Sequence, residues 1–279
     1  MRIKTWPVFC LQLHRNVNTT VLFISVGNRK MLKSMFIVLF SFSLSAVAST
    51  ETWNFNSGQT AYGANKLTLQ SNTGSDALLS GWSSYSSSAT STVRSANRVT
   101  LDSSWGVQLW NMHDGGSPSH AVDNRNGFDF ILLEFPQPVE LLSLTNTWVS
   151  GDSWVSVGAY TANPFANGSV NWQQVANSAV QTASYTNTGI NTPYIFANNS
   201  SIEGPGITNT FANYWLIGAY NPVFNGGQYG LSDHIKFASI TTKAFVPDNN
   251  DEDPVQVPEP GTMALFSLAL LGLLYRRHA

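Results

Sequence analysis

The chain of 279 residues contains a single cysteine, Cys10. It falls in a leader expected to be removed on export, which leaves the mature protein with none. That excludes thiol catalysis, cysteine-based zinc sites and disulfide staples. A domain of about 200 residues can be stable without such staples. Charge is also scarce, with Asp, Glu, Lys and Arg making up 11% of the residues. Between residues 49 and 245, six basic side chains (Lys66, Arg94, Arg98, Arg125, Lys236, Lys243) stand against eleven acidic ones, a net of −5. No basic stripe is available to follow a phosphate backbone, which argues against a nucleic-acid partner. Missing too are a G-x-S-x-G nucleophile elbow, a phosphate-cradling glycine loop and a dinucleotide fingerprint. No stretch shows sustained helical periodicity.

What is present begins with an address. Met31-Leu32-Lys33 precedes an apolar run from Met35 to Leu44, followed by Ala46-Val47-Ala48. A positive start, a short apolar core and an A-x-A site make the pattern of a secretory signal peptide, with cleavage after Ala48 and the Sec translocon as export partner. The preceding 30 residues carry Arg2, Lys4, Arg15, Arg29 and Lys30 and suggest no place in a fold. Translation is expected to start at Met31, and 1–48 are read as leader.

Residues 49–245 are rich in Ser, Thr, Asn, Gly and aromatics. β-like segments recur between turn residues at 52–56, 66–70, 98–102, 106–110, 128–135, 139–149, 153–160, 170–176, 193–197, 214–220 and 234–245. The repeat Trp148-Val149-Ser150, then Gly151-Asp152-Ser153, then Trp154-Val155-Ser156 reads as a tight hairpin. The segment 234–245 alternates imperfectly, as expected for a strand with one face on a core. Eleven strands without helices imply an all-β fold: a single jelly-roll-like β-sandwich, with an up-and-down barrel as runner-up.

From Val246 to Val257 the composition turns acidic, with Asp248, Asp251, Glu252 and Asp253 beside two prolines. Such a segment repels itself and stays extended, so 246–257 is a linker. Residues 258–279 follow: Pro258-Glu259-Pro260, an uncharged apolar run from Thr262 to Tyr275, and Arg276-Arg277. As a helix that run covers roughly 21 Å against a bilayer core of about 30 Å, short for a permanent anchor. The arginines suit a stop-transfer flank, and the prolines keep an extended stretch beside the membrane.

This three-part tail resembles the PEP-CTERM sorting signal of Gram-negative bacteria. The resemblance implies an exosortase that recognises and processes the tail, transient insertion of 262–275 in the inner membrane, and release to the cell surface or exopolysaccharide matrix. The stretch from Ser117 to Asn124, followed by 128–135 and Gly151-Asp152-Ser153-Trp154, is similar to exosortase-dependent surface proteins over residues 105–245. That family implies no established activity.

Within the domain, the polar loop around Asp114, His120, Asp123 and Asp129 offers oxygen ligands of the kind calcium takes. Its spacing matches no EF-hand loop or zincin helix, and Asx turn chemistry explains the same residues. No cofactor is required, with calcium as the metal alternative. Asp123, Asp129, Glu134, Asp152 and Asp233 supply carboxylates for a glycan hydrolase, but nothing pairs any two of them. Eight tryptophans lie between Trp53 and Trp215. Trp53, Trp105, Trp110, Trp172 and Trp215 have apolar neighbours and are expected in the core. Trp82, Trp148 and Trp154 are the candidates for stacking on sugar rings. The expected function is that of an exported, non-enzymatic surface or matrix protein; the alternative is a carbohydrate-binding module or an extracellular glycan hydrolase on the same scaffold.

Overall fold

The structure, a computed structural model, describes residues 14–16, 19–21, 49–111, 120–225, 227, 230 and 232–246. The chain divides into two units between Val47 and Ala48. In the first, β1 (His14–Asn16) and β2 (Thr19–Val21) pair antiparallel. The second unit holds β3 (Thr50–Asn54), β4 (Thr60–Tyr62), β5 (Leu67–Gln70), β6 (Asp76–Ser83), β7 (Arg94–Ser95), β8 (Arg98–Asp102), β9 (Gly106–Trp110) and β10 (Val122–Asp123). Then come β11 (Asp129–Gly151), β12 (Val155–Tyr160), α1 (Trp172–Asn177), β13 (Gln181–Tyr185), β14 (Tyr194–Ile195), a 3-10 turn (Phe196–Asn198), β15 (Phe211–Ala219) and β16 (Asp233–Ala244).

The all-β sandwich expected from the sequence is the observed fold, and β11 is its seam. From Asp129 to Glu134 this strand pairs with β6; from Val139 to Gly151 it pairs with β16. Pro136 and Pro138 fall in the gap, where neither ladder needs the backbone donors that proline lacks. The two stretches expected as separate strands, 128–135 and 139–149, are therefore one strand serving two sets of partners. β15 lies between β11 and β12, which excludes the sequential order of an up-and-down barrel.

The main core lies inside the sandwich, and β8 and β9 supply Val99, Leu101, Val107 and Leu109 to it. β11 sends Ile131 and Leu133 into this core, while Phe130 and Leu132 enter a second apolar cluster on the outer face of the sheet. A strand buried on both faces reads as a continuous apolar run, which is why 128–135 shows no alternation. Trp172 and Val175 of α1 roof the outer cluster beside Phe165 and Phe224. Indole donors in the main core have acceptors: Trp53 Nε1 donates to Thr242 Oγ1 at 2.9 Å and Trp215 Nε1 to the Val139 carbonyl at 3.0 Å.

Several expectations need correction. The strand expected at 170–176 is α1, started by a capping box. Asn171 Oδ1 accepts from the Gln174 backbone N–H and Gln174 Oε1 accepts from that of Asn171, both at 2.9 Å. The Gly-Asp hairpin at 148–156 does not form, because Trp148–Gly151 pair with β16 while β12 pairs with β13 and β15. Residues 193–197 are split between β14 and the 3-10 turn. β6 and β13 were not expected, yet β6 is a full neighbour of β11.

Candidate functional site

Of Trp105 and Trp110, both expected in the core, Trp105 is exposed and Trp110 is half-buried. β8 and β9 form a hairpin whose register sets Arg98 opposite Trp110, and opposite residues of an antiparallel pair share a face. The Arg98 guanidinium carbon lies 3.4 Å from the Trp110 ring centroid, and the His120 ring is 4.0 Å away. Trp110 Nε1 donates to His120 Nε2 at 2.8 Å, so that nitrogen carries no proton. Burial pushes the pKa of His120 down, helped by the positive fields of Arg98 and then Lys236. His120 is thus a neutral group against Trp110.

At the hairpin turn, Asp102 Oδ1 accepts the backbone N–H groups of Ser104 and Trp105 at 2.8 and 2.9 Å. Gly106 follows at φ +72°, and a Cβ there would stand 2.0 Å from the Phe237 carbonyl oxygen. Only glycine tolerates both the left-handed backbone and this approach of the hairpin to β16. The contact coincides with irregular pairing between β11 and β16. Thr145 faces Ser239 and Asn146 faces Phe237, so Ala238 is an extra residue on β16; Thr147 is extra on β11 before Trp148 faces Lys236. The Thr147 hydroxyl donates to the Trp105 carbonyl at 2.6 Å, with the Lys236 carbonyl at 3.1 Å. Bulges of this kind redirect side chains. The extra Ala238 also accounts for the imperfect alternation of 234–245, since Phe237 and Ile240 both face the core.

The product is an ammonium between two indoles. Lys236 Nζ lies 5.2 Å from the Trp105 ring centroid and 5.3 Å from that of Trp148. Trp105 is 47% exposed, while Trp148 and Lys236 are half-buried. Burial pushes the Lys236 pKa down, and Asp102 partly opposes it.

The other expected residues are dispersed. Trp82 stacks on Phe165 with centroids 3.8 Å apart, so one face of its indole is covered, and its Nε1 donates to Ser80 Oγ. Trp154 packs edge-on against Tyr220. Asp129 is fully buried and accepts from Asn111 Nδ2 on both oxygens, at 3.1 and 3.3 Å. Asp123, also buried, accepts from the Arg125 backbone N–H at 3.0 Å, and desolvation raises its pKa. Asp114 lies outside the described residues. Among those described, no group of three or more His, Asp or Glu is arranged to hold a metal.

Asp233 is a strongly perturbed carboxyl. It is fully buried, with Oδ2 accepting from Asn124 Nδ2 at 2.6 Å and Oδ1 from the Trp154 backbone N–H at 3.0 Å. Desolvation pushes its pKa up to about 6 despite those donors. A shallow depression of 420 Å³ elsewhere is lined by Tyr85, Ser86, Ser87, Arg125 and Asn126, with no carboxylate.

Ala46 and Ala48 of the expected cleavage site and the tail residues Pro258, Glu259, Pro260, Arg276 and Arg277 lie outside the described residues, as does the apolar run 262–275. Among the described residues no helix is long and apolar enough to cross a membrane. No curated protein and no solved structure matches the chain. Residues 256–277 do match the PEP-CTERM protein-sorting motif, and the chain thereby carries the signal that supports export and exosortase-dependent sorting at the cell envelope.

Proposed function

We propose that this is a non-enzymatic protein of the cell surface or exopolysaccharide matrix of a Gram-negative bacterium, whose sandwich domain binds extracellular polysaccharide. The Sec translocon exports it by the leader, the tail holds it briefly in the inner membrane, and exosortase processing releases it. The observation that carries the domain's role is the exposed indole of Trp105 beside Trp148, because sugar C–H faces pack on indole rings while hydroxyls stay in water. The reading requires no metal or other cofactor.

A hydrolase reading finds less support. Glycoside hydrolysis takes two carboxylates facing each other across a cleft. Asp233 has the raised pKa of an acid catalyst, but both of its oxygens are held by donors and none of it is exposed.

The test is fractionation of cells that make both the protein and the exosortase. The wild-type protein is expected to appear outside the cell without its tail and to sediment with matrix polysaccharide. A variant with Pro258, Glu259 and Pro260 all changed to Ala is expected to stay in the membrane fraction at full length. Release of that variant at the normal rate refutes the sorting reading; absence of the released protein from the polysaccharide fraction refutes the domain reading.

A further inference from the structure

The polymer's chemistry can be narrowed. We propose that Trp105, Trp148 and Lys236 form a subsite for a uronate residue of an acidic polysaccharide, with the sugar ring on Trp105 and its carboxylate on the Lys236 ammonium. This rests on the polysaccharide reading above and specifies its ligand.

Lys236 stands apart from the other lysines of the domain. Lys66 pairs with Glu134 at 2.6 Å and Lys243 lies 3.9 Å from Glu140, whereas Lys236 has no carboxylate within 4.0 Å among the described residues. The nearby acid, Asp102, lies beyond that distance; its Oδ1 accepts from the Ser104 and Trp105 backbone donors, and it reaches Lys236 only through its field. A half-buried cation between two rings, with an acid acting on it only through its field, has lost hydration without gaining a contacting anion among the described residues. A ligand carboxylate supplies what is missing, through a charge-assisted hydrogen bond of the stronger kind. Arg98 adds to the same field, as the downward push of both cations on His120 shows. Two of the six cations of a domain with net charge −5 thus act on the same histidine, one over Trp110 and the other between Trp105 and Trp148. A neutral glucan would use the indoles and leave the ammonium unanswered; a uronate uses both.

The experiment measures binding of the full chain, in non-ionic detergent, to polygalacturonate, dextran and dextran sulfate. Each is run with calcium and with chelator. Polygalacturonate is expected to bind, more weakly as salt rises. Lys236→Met keeps the apolar stem between the indoles and is expected to weaken that binding about tenfold or more, a change of about 1.4 kcal/mol per tenfold. Lys236→Arg is expected to retain most of it. Trp105→Ala is expected to lose a similar factor, and Lys66→Met, a cation removed elsewhere, to change little. Dextran bound as tightly as polygalacturonate, with Trp105→Ala harmful and Lys236→Met harmless, overturns the uronate subsite and leaves polysaccharide binding standing. Dextran sulfate bound equally well by all four variants marks simple ion exchange and overturns the subsite. No binding to any polymer overturns both readings.

Discussion

Asp233 gives the fold a pH dependence opposite in sign to that of most native carboxylates. Its pKa rises from the ordinary 3.8 to about 6, with desolvation as the largest cause, Asp152 adding to it, and the Trp154 N–H, Asn124 and His234 opposing. Between those values the folded state holds a proton that the unfolded state has released. Stability is therefore greatest at the acid end of this window and falls as pH rises through it, levelling off above about pH 6. Two pKa units at about 1.4 kcal/mol each set a ceiling of about 3 kcal/mol. Asp233→Asn removes the titration and keeps an acceptor for the Trp154 N–H, but turns an amide towards the Asn124 amide and costs about 1 kcal/mol. The two proteins should exchange rank: wild type more stable near pH 4, the variant more stable by about 2 kcal/mol near pH 8. Urea unfolding followed by tryptophan fluorescence across that range measures the difference, in which titrations that do not interact with Asp233 cancel, while those of Asp152 and His234 do not. A difference that is flat with pH, or that rises in favour of wild type, refutes the argument.

Other perturbations test other parts of the fold. Tyr160 is fully buried and its hydroxyl has no partner among the described residues, so Tyr160→Phe should leave stability unchanged or raise it by about 1 kcal/mol in the same assay. Asn171→Ala removes one half of the capping box and should cost about 1 kcal/mol, with Asn171→Ser restoring most of it. Gly106→Ala meets both a left-handed φ and the Phe237 carbonyl; a loss above about 2 kcal/mol, together with weakened polygalacturonate binding, is expected, and retention of both refutes the docking geometry of the hairpin.

Much of this was legible in the residues, and the limits have physical causes. Strands rich in β-branched and aromatic residues, such as those around Val99, Val107 and Trp215, announce themselves. β6 did not, because Asp76–Ser83 pairs leucines with Ala, Ser and Gly and lacks β-branched residues. The helix at 172–177 is too short for periodicity to show, although Asn171 and Gln174 at capping-box spacing were a usable signal. Treating 98–102 and 106–110 as one hairpin would have set Arg98 opposite Trp110 and exposed that side of the site. Nothing local pairs Lys236 with Trp148, since two extra residues, Thr147 and Ala238, decide their register. Nor does chain order reveal β15 between β11 and β12, because long-range pairing is settled by the whole sheet. The repeat around Gly151-Asp152 misled for the same reason: local turn chemistry was sound, but a more distant strand won the hydrogen bonds.

The position of β16 has a mechanical consequence. Its last residue, Ala244, leads to the acidic sequence that begins at Val246, while Lys236 lies eight residues back, roughly 27 Å away along an extended strand. The share of a polymer's pull borne by Trp148 enters β11 at one end of the β11–β16 ladder, while the share borne by Lys236 runs along β16 itself; a pull on the chain beyond Ala244 acts on β16 at the other end. Tension between them runs parallel to the strands, so the rungs from Val139–Ala244 to Trp148–Lys236 resist in shear, together rather than one after another. A domain joined this way can transmit drag from a moving polymer to whatever holds its C-terminal end without unzipping.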